Sequence, residues 1–439
     1  MDLHTPLRSH RARPRLHPPT DPRSMSGETP VDPHEQPVPY VPPLTGDGLA
    51  RSHRPRTHPS RLPVTGAWRP GDEVGHRQFV HIPAERPFAL EGGGVLRGLD
   101  IAFETWGELD EDATNAVLIC HALTGDSHVA GPAGPGHLSP GWWSSIVGPG
   151  LAIDTDRWFV VAPNVLGGCQ GTTGPSSPAP DGSPWGSRFP SVTVRDQVAA
   201  ELELTDQLGI EQWAHVVGGS MGGHRVLEWA IMAPGRVRSI AVIASGAQTT
   251  ADQIAWAHAQ LAAIELDPNY RGGDYYDAPA GQGPHAGLAL ARRIAHTTYR
   301  SAEELETRFG RLHQHAEDPM LGGRFAVQSY LDHHGTKLAL RFDANSYVAL
   351  TRSMLTHDVG RDRGGVAAAL SGITADTLVI AVDTDRLFLP HESERIAAGV
   401  PGARPVRYVR SPYGHDGFLI EHEQMSRHLG DFLRQVSRP

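Results

Sequence analysis

The chain has 439 residues, a net charge of −10 and two cysteines, and 39% of its residues are hydrophobic. This length allows one large domain with an insertion, or two domains. Two cysteines exclude a disulfide framework and fit a reducing cytoplasm, where we expect the protein to be located. No apolar run reaches the ~18–20 residues that span a membrane, so we expect no membrane partner.

The charge is distributed unevenly along the chain. Residues 1–70 contain ten arginines and six acidic residues, so this segment carries +4 and the remainder −14. An acidic remainder argues against a nucleic-acid partner. The same segment holds 15 of the 37 prolines and few apolar residues, too few to offset the entropy lost on ordering. We therefore predict that residues 1–70 form a disordered tail.

From about Gln78, short apolar runs alternate with helical patterns. The runs that end in polar loops include NAVLICHALTG, RWFVVAPNVLGG, WAHVVGGS, SIAVIASG, DTLVIAVDTD and PVRYVRSPYGHD. VRDQVAAELELTDQLGI and the closing EHEQMSRHLGDFLRQV have the spacing of amphipathic helices. This alternation predicts an α/β fold with a mostly parallel sheet that is covered by helices on both faces.

Residues 248–358 interrupt the alternation. TADQIAWAHAQLAAIELD and AGLALARRIAHTTYR have helical spacing, and we find no strong strand pattern between them. We interpret residues 248–358 as a helical lid inserted between two strands. The lid then divides the core into a first part, residues 71–247, and a second part, residues 359–439.

The stretch VVGGSMGGHRVLEWA contains the pattern G-x-S-x-G between an apolar strand and a helix, which is the context this motif requires. A sharp strand-to-helix turn strains the backbone at its corner and is tolerated where the neighbouring residues lack side chains. The corner residue, Ser220, would lie at a helix N-terminus, where free N–H groups stabilise negative charge. We predict that Ser220 is a nucleophile; a glycine-rich turn with an incidental capping serine is the alternative.

A nucleophilic serine needs a histidine base and a carboxylate that orients the base. In α/β-hydrolases these follow in the chain order serine, acid, histidine. His415 lies in a loop after a late apolar run, and both Asp383 and Asp385 lie at the exit of the run before it, so the pattern leaves two candidates for the acid. For the oxyanion hole we predict the backbone N–H groups of Met221 and, from the loop ICHALTGD, of Leu123.

Other patterns carry less information. GGCQGTTG lacks the Gly-Lys-Ser/Thr of a phosphate-binding loop, and its Cys169 is more simply a structural thiol than a nucleophile. LHQH and DHH do not have a zinc spacing with a completing ligand. We predict no metal site.

Several blocks of the sequence together resemble the homoserine O-acetyltransferases, which are acyltransferases of methionine biosynthesis with the α/β-hydrolase fold. These blocks are HALTGDSHVAG, GWWSSIVGPG, DTDRWFVVAPNVLGGCQGTTGPSS, WGSRFPSVTVRDQV, GGSMGG, RFDANSYV, HDVGRDRGG, DRLF and YGHDGF. The resemblance covers roughly residues 76–435. The block from NVLGGCQGTTGPSS to WGSRFP is far more specific than G-x-S-x-G, which many esterases share.

The resemblance implies roles for individual residues. It selects Asp385 over Asp383 as the acid of the triad. The site it implies consists of the nucleophile Ser220, the acid Asp385, the base His415, Arg292 for the substrate carboxylate, Asp416 for the substrate ammonium group, and Tyr299 as a further pocket residue.

The resemblance also implies the reaction. Acetyl-CoA, a co-substrate, would acetylate the serine, and L-homoserine would then take the acetyl group to give O-acetyl-L-homoserine. No cofactor is implied, and the lid would form a homodimer interface. The alternatives are a succinyl donor or a serine acceptor on the same scaffold, a plain serine esterase, and a non-catalytic binding protein, which would have no reason to keep a serine, an acid and a histidine.

Overall fold

The computed structural model describes residues 62–436, so the prediction of disorder for residues 1–61 lies outside the described residues. Residues 62–70 differ from that prediction. Leu62, Thr65 and Ala67 are buried, the Thr65 hydroxyl donates to Asp343 at 2.7 Å, and the Leu62 carbonyl accepts from the N–H of Gly281 at 2.7 Å. The tail boundary at residue 70 is therefore wrong. Composition could not reveal these contacts, because the partners lie more than 200 residues away in the sequence.

Apolar runs form the central strands, and more exposed segments form the edge strands. The strands are β1 Gln78–Ile82, β2 Phe88–Ala89, β3 Val95–Leu96, β4 Leu99–Trp106, β5 Ala116–Cys120, β6 Val147–Gly148, β7 Ile153–Asp154, β8 Phe159–Pro163, β9 His215–Gly219, β10 Ser239–Ile243, β11 Asp376–Val382 and β12 Arg407–Val409. Every residue of β5, β9 and β10 is buried, as expected for central strands that are covered by helices on both faces.

The central sheet has the strand order β1, β4, β8, β5, β9, β10, β11, β12. β1 and β4 pair antiparallel, as do β4 and β8, and every pair from β8 to β12 is parallel. The predicted α/β fold with a mostly parallel sheet is confirmed. Because β5, β9, β11 and β12 run in the same direction, the loops after them emerge at one edge of the sheet, where ligands bind in open α/β sheets.

The helices are α1 Val194–Gln207, α2 Met221–Met232, α3 Ala251–Glu265, α4 His285–Tyr299, α5 Ala302–Phe309, α6 Ala326–Arg341, α7 Ala344–Leu355, α8 Val366–Ser371, α9 Pro390–Gly399, α10 Gly417–Ile420 and α11 His422–Val436. Capping side chains set several of their starts: Thr193 accepts from the N–H of Asp196 at α1, and Thr250 accepts from the N–H of Gln253 at α3. None of the helices in the described part of the chain has the length and hydropathy to cross a bilayer.

The buried apolar side chains form three clusters. One packs α1 and α2 against the sheet around Val216 and Trp229, and another packs α11 against the opposite face around Val217 and Phe432. The third cluster includes Met221 and lies between the core and helices of the α3 to α7 segment. These helices follow β10 and precede β11, within the stretch interpreted as the lid. The residue after Ser220 is therefore packed at the boundary between the sheet and these helices.

Candidate active site

Ser220 occupies the sharp turn between β9 and α2. Its backbone has φ 56° and ψ −126°, a strained combination for a residue with a side chain, and only 6% of the residue is exposed. The neighbouring glycines are sterically required. A Cβ on Gly222 would lie 2.0 Å from the carbonyl oxygen of Cys120, and a Cβ on Gly219 would lie 2.6 Å from the ring of Phe418. The turn therefore holds a hydroxyl at the N-terminus of α2.

His415 lies in the turn Gly414–Asp416 after β12, and its ring is buried. Its Nδ1 is 2.7 Å from Oδ2 of Asp385, which follows β11. The other oxygen of that carboxylate accepts hydrogen bonds from the N–H groups of Leu387 at 2.8 Å and Phe388 at 2.9 Å. The carboxylate is thus held on both oxygens and orients the imidazole through its Nδ1.

The environment of His415 stabilises its protonated form. Burial by itself would lower the pKa of His415, but the charge of the Asp385 carboxylate and the hydrogen bond to it outweigh burial and raise the pKa above its ordinary value. The imidazolium that forms when a histidine takes a proton from a hydroxyl is therefore favoured at this position.

Asp383, the other carboxylate that the sequence pattern allowed, has different partners. Its Oδ1 accepts from the N–H of Ser411 at 3.0 Å, and its Oδ2 is 3.3 Å from Nη1 of Arg410. It ties the end of β11 to the end of β12. The structure therefore brings Asp385 to His415 and directs Asp383 elsewhere.

The loop after β5 carries the predicted second oxyanion donor, Leu123. Leu123 borders the same small cavity as Ser220. Over the described range, no acceptor takes a hydrogen bond from the backbone N–H of either Leu123 or Met221. Two such N–H groups near a nucleophile can bind the oxygen of a tetrahedral intermediate.

Two arginines position this loop, the buried Arg225 and the half-buried Arg341, and sequence reasoning missed them. Nη1 of Arg341 donates to the carbonyl of Thr124 at 2.9 Å, and Nη2 of Arg225 donates to the carbonyl of His121. Arg225 lies on α2 and pairs with Glu201 on α1, which also accepts from the indole N–H of Trp229 at 2.6 Å. Charged residues in helical sequences normally lie at the surface, so no sequence signal marked these as buried.

Arg292, Tyr299 and Asp416 lie together beside His415. The guanidinium of Arg292 is 4.9 Å from the centre of the Tyr299 ring, which is 5.8 Å from the His415 ring. Asp416 pairs with Arg300 at 3.2 Å. Burial raises the pKa of Asp416, although Arg300 and Arg292 oppose this. Arg300 is a further residue that sequence reasoning missed. Nothing in the segment LARRIAHTTYR shows which of its arginine side chains faces Asp416.

The cavity beside Ser220 has a volume of about 50 Å³. Helices α3, α4 and α7, which belong to the stretch interpreted as the lid, cover it, and residues of the loop after Asp385 close one side. No aspartate, glutamate, lysine or arginine of the described chain borders it. The cavity is therefore an uncharged enclosure next to the nucleophile.

Glu104, His128 and His137 form a buried cluster outside this site, with ligand atoms within 4.8 Å of one another. The two imidazole rings stack face to face, 3.9 Å apart and 12° from parallel, so their in-plane lone pairs do not converge on one ion. Their nitrogens are also used in hydrogen bonds: His128 bonds Glu104 and the Pro132 carbonyl, and His137 accepts from the N–H of His76. The arrangement fits an internal hydrogen-bond network better than a metal site.

Cys169, the alternative nucleophile, is buried next to the lid. Burial raises the pKa of its thiol, with Asp343 acting in the same direction. A thiol with a raised pKa is a poor nucleophile.

Comparisons with known proteins identify the fold and the family of the chain. A family model described as the alpha/beta hydrolase fold matches residues 115–421. A homoserine O-acetyltransferase of Thermobifida fusca is 61% identical over 374 residues, which are 85% of this chain and 98% of the relative.

Among solved structures, a homoserine O-acetyltransferase from Bacillus anthracis has a TM-score of 0.74 and 25% identity, over 81% of this chain and 97% of its own. An acetylester hydrolase from Corynebacterium glutamicum has a TM-score of 0.70 and 26% identity, over 82% of this chain and 97% of its own. The match to the relative that is 61% identical spans 98% of that relative. This match distinguishes the acetyltransferase family from the other families that share the fold. The chain belongs to the homoserine O-acetyltransferase family of the α/β-hydrolase fold.

Proposed function

We propose that Ser220 carries the acetyl group as a covalent ester between acetyl-CoA and L-homoserine. Acetyl transfer to homoserine is the activity of this chain, as its relatives at 61% and 57% identity indicate, and O-acetyl-L-homoserine is a precursor in methionine biosynthesis. The observation that carries the proposal is the hydrogen bond of 2.7 Å between Asp385 and His415, on the same edge of the sheet as a strained Ser220. We propose acetyl-CoA as a co-substrate, with no resident cofactor.

In the first half-reaction the Ser220 oxygen attacks the thioester carbon while His415 takes the hydroxyl proton. The carbonyl oxygen becomes negative and binds the N–H groups of Met221 and Leu123. When the carbon–sulfur bond breaks, the proton on His415 passes to the sulfur, and CoA leaves as a thiol. The products are acetyl-Ser220 and a neutral imidazole.

In the second half-reaction homoserine occupies the place that CoA left. His415 takes the proton of its hydroxyl, and the homoserine oxygen attacks the acetyl carbon. The bond between that carbon and the Ser220 oxygen then breaks, His415 returns the proton to the Ser220 oxygen, and O-acetyl-L-homoserine leaves. Arg292 suits the carboxylate of homoserine, since a guanidinium offers two parallel hydrogen bonds. Asp416 suits the ammonium group, and Tyr299 packs between Arg292 and the base.

A serine esterase is the second candidate, because the chain is also similar in structure to an acetylester hydrolase. Transfer instead of hydrolysis requires that water be kept from the acetyl-enzyme while the alcohol is positioned, and good positioning can contribute ~7–11 kcal/mol. The burial of Ser220 under the lid helices supports transfer.

The test measures CoA release by the purified protein. Acetyl-CoA and succinyl-CoA are each combined with L-homoserine, L-serine or no acceptor. We expect rapid release only with acetyl-CoA and homoserine, and O-acetyl-L-homoserine as the product. Equal release with and without acceptor would identify an esterase.

The homodimer and the cytoplasmic location stay predictions. The lid exposes large apolar side chains at Leu312, Met320 and Leu321, which is the kind of surface a second copy covers. We expect a molar mass of two chains in light scattering, and we expect Met320→Glu with Leu321→Glu to shift it toward one chain.

A further inference from the structure

Two buried polar side chains border the cavity at Ser220 without a hydrogen-bond partner. His224, one helical turn after Ser220, is 1% exposed, and within residues 62–436 neither of its ring nitrogens is hydrogen-bonded. Thr351 on α7 is 3% exposed, and its hydroxyl is likewise unpartnered there. Buried polar groups in native proteins are nearly always hydrogen-bonded, so these two require a ligand or an ordered water.

The surroundings of His224 keep its imidazole neutral. The ring stacks on His357 at 3.9 Å and meets the edge of Phe388 at 5.5 Å. Burial lowers the pKa of His224 well below its ordinary value, and His357 and Arg225 act in the same direction. A neutral imidazole offers one donor and one acceptor, and the Thr351 hydroxyl offers both. Together they suit an uncharged hydrogen-bonding group.

The proposed reaction indicates which substrate group would contact His224 and Thr351. The leaving thiol takes its proton from His415, and the entering hydroxyl gives its proton to His415. Both therefore occupy the His415 side of the acyl carbon, which is also the side of Arg292 and Asp416. Neither Arg292 nor Asp416 borders the cavity, although Tyr299 and Phe388, whose rings lie 5.8 and 5.4 Å from that of His415, both do. Because the cavity borders Ser220 but lacks both groups that suit the charged ends of homoserine, we assign it to the acyl group.

We propose that this cavity is the acyl pocket and that His224 and Thr351 form its polar end wall, which selects short acyl groups ending in an uncharged hydrogen-bonding group such as a hydroxyl. This inference rests on the proposed acyl-serine mechanism. The cavity of about 50 Å³ limits the length of the acyl group. A succinyl carboxylate would be buried there without a counter-charge, which is strongly unfavourable.

The test compares two donors of nearly the same shape. Glycolyl-CoA ends in a hydroxyl and propionyl-CoA in a methyl group, and both transfer by the same bond changes as acetyl-CoA. We measure kcat/KM for CoA release with homoserine as acceptor. A site built to bind a hydroxyl rejects the analogue that lacks it. We expect glycolyl-CoA to be favoured over propionyl-CoA by about tenfold or more.

Two variants connect this preference to the end wall. His224→Met and Thr351→Val replace the polar groups with apolar ones of similar size, so each should lower the glycolyl-to-propionyl ratio, and the double variant should bring it to about one or below. Thr298→Val is the matched control. Thr298 borders the same cavity, but its hydroxyl already donates to the Ala295 carbonyl at 2.7 Å, so the ratio should not change.

The outcomes separate the two proposals. If the parent chain does not acetylate homoserine, the proposed function fails. If acetylation proceeds but glycolyl-CoA and propionyl-CoA react within twofold, or if Thr351→Val leaves their ratio unchanged, only the acyl-pocket inference is overturned. Succinyl-CoA reacting as well as acetyl-CoA would overturn it too. If His224→Met unfolds at a much lower temperature, Thr351→Val decides, with an expected shift of about threefold.

Discussion

The α/β core and the lid differ in how tightly their side chains at the candidate site are hydrogen-bonded. In the core, Asp385 and His415 are 2.7 Å apart, and backbone N–H groups hold the remaining carboxylate oxygen. In the lid, Arg292 approaches the hydroxyl of Thr124 only at 3.5 Å and lies over the Tyr299 ring. We infer that the core preorganises the reacting groups, whereas the lid provides groups whose best partners are substrates. Substitutions in the two regions should separate these two contributions.

Removing the nucleophile should have the largest effect. Ser220→Ala should lower kcat by about 10⁶-fold, as in other Ser-His-Asp triads, because no acetyl-enzyme can form. Mass spectrometry after incubation with acetyl-CoA should find one acetyl group on the Ser220 peptide of the parent and none in the variant. Cys169→Ala should keep the label, and an acetyl group on Cys169 in the parent would contradict the assignment.

Asp385→Asn should lower kcat by about 10⁴-fold, because the amide favours the wrong tautomer of His415. Asp383→Asn is the matched control two residues away. It should retain kcat within a few-fold, since Asp383 contacts Ser411 and Arg410 and not His415. A reversed order of the two effects would show that the triad acid is misassigned. The measurement is steady-state CoA release with saturating homoserine.

Arg292→Lys should affect only the second half-reaction. Lysine cannot reproduce the two parallel hydrogen bonds to a carboxylate, and losing one partner of a desolvated charge pair costs ~2–5 kcal/mol, roughly 30-fold to several thousand-fold in kcat/KM for homoserine. Acetyl-enzyme formation in a single turnover should be nearly unchanged.

Arg293→Lys is the control for this comparison, because the guanidinium of Arg293 pairs with Asp332 at 3.1 Å on the lid. If Arg292→Lys acetylated homoserine within twofold of the parent, Arg292 would have only a structural role. If it blocked formation of the acetyl-enzyme, the division between core and lid would be wrong.

The pH dependence of kcat/KM for acetyl-CoA should follow the protonation of His415 in the core. His415 must be neutral to act as a base, and Asp385 raises its pKa above the ordinary value near 6.5. Thus kcat/KM for acetyl-CoA should be full above this raised pKa and fall about tenfold per pH unit below it. Arg292→Lys should leave the midpoint in place. A midpoint below the ordinary histidine value would contradict the environment described for His415.

The smallest effect concerns the N-terminal segment. A chain that begins at Leu62 should keep the activity and melting temperature of the full chain, since residues 1–61 have a composition that cannot build a core. A chain that begins at Gly71 should melt several degrees lower, because it lacks the buried side chains of Leu62, Thr65 and Ala67 and the hydrogen bond to Asp343. Equal melting temperatures for the two chains would show that these contacts contribute nothing to stability.

Part of the site could be predicted because its signals are local. The strand, the turn at Ser220 and the helix after it follow from hydrophobic periodicity and from glycines that a sharp turn requires. The fold class follows from the alternation of buried strands with helices.

The sequence by itself determined the α/β class and the sharp turn at Ser220, because these depend on hydrophobic periodicity and on the backbone preferences of neighbouring residues. The residue pattern left Asp383 and Asp385 open, the family resemblance selected Asp385, and the structure places Asp385 against His415. How Arg225 and Glu201 are buried, and why Leu62 and Thr65 are ordered, were decided only by the tertiary structure. The same holds for the unpartnered His224 and Thr351. The physical reason is that a side chain's partners depend on the order of strands in the sheet and on the seating of the lid, and these bring together residues that are distant in sequence.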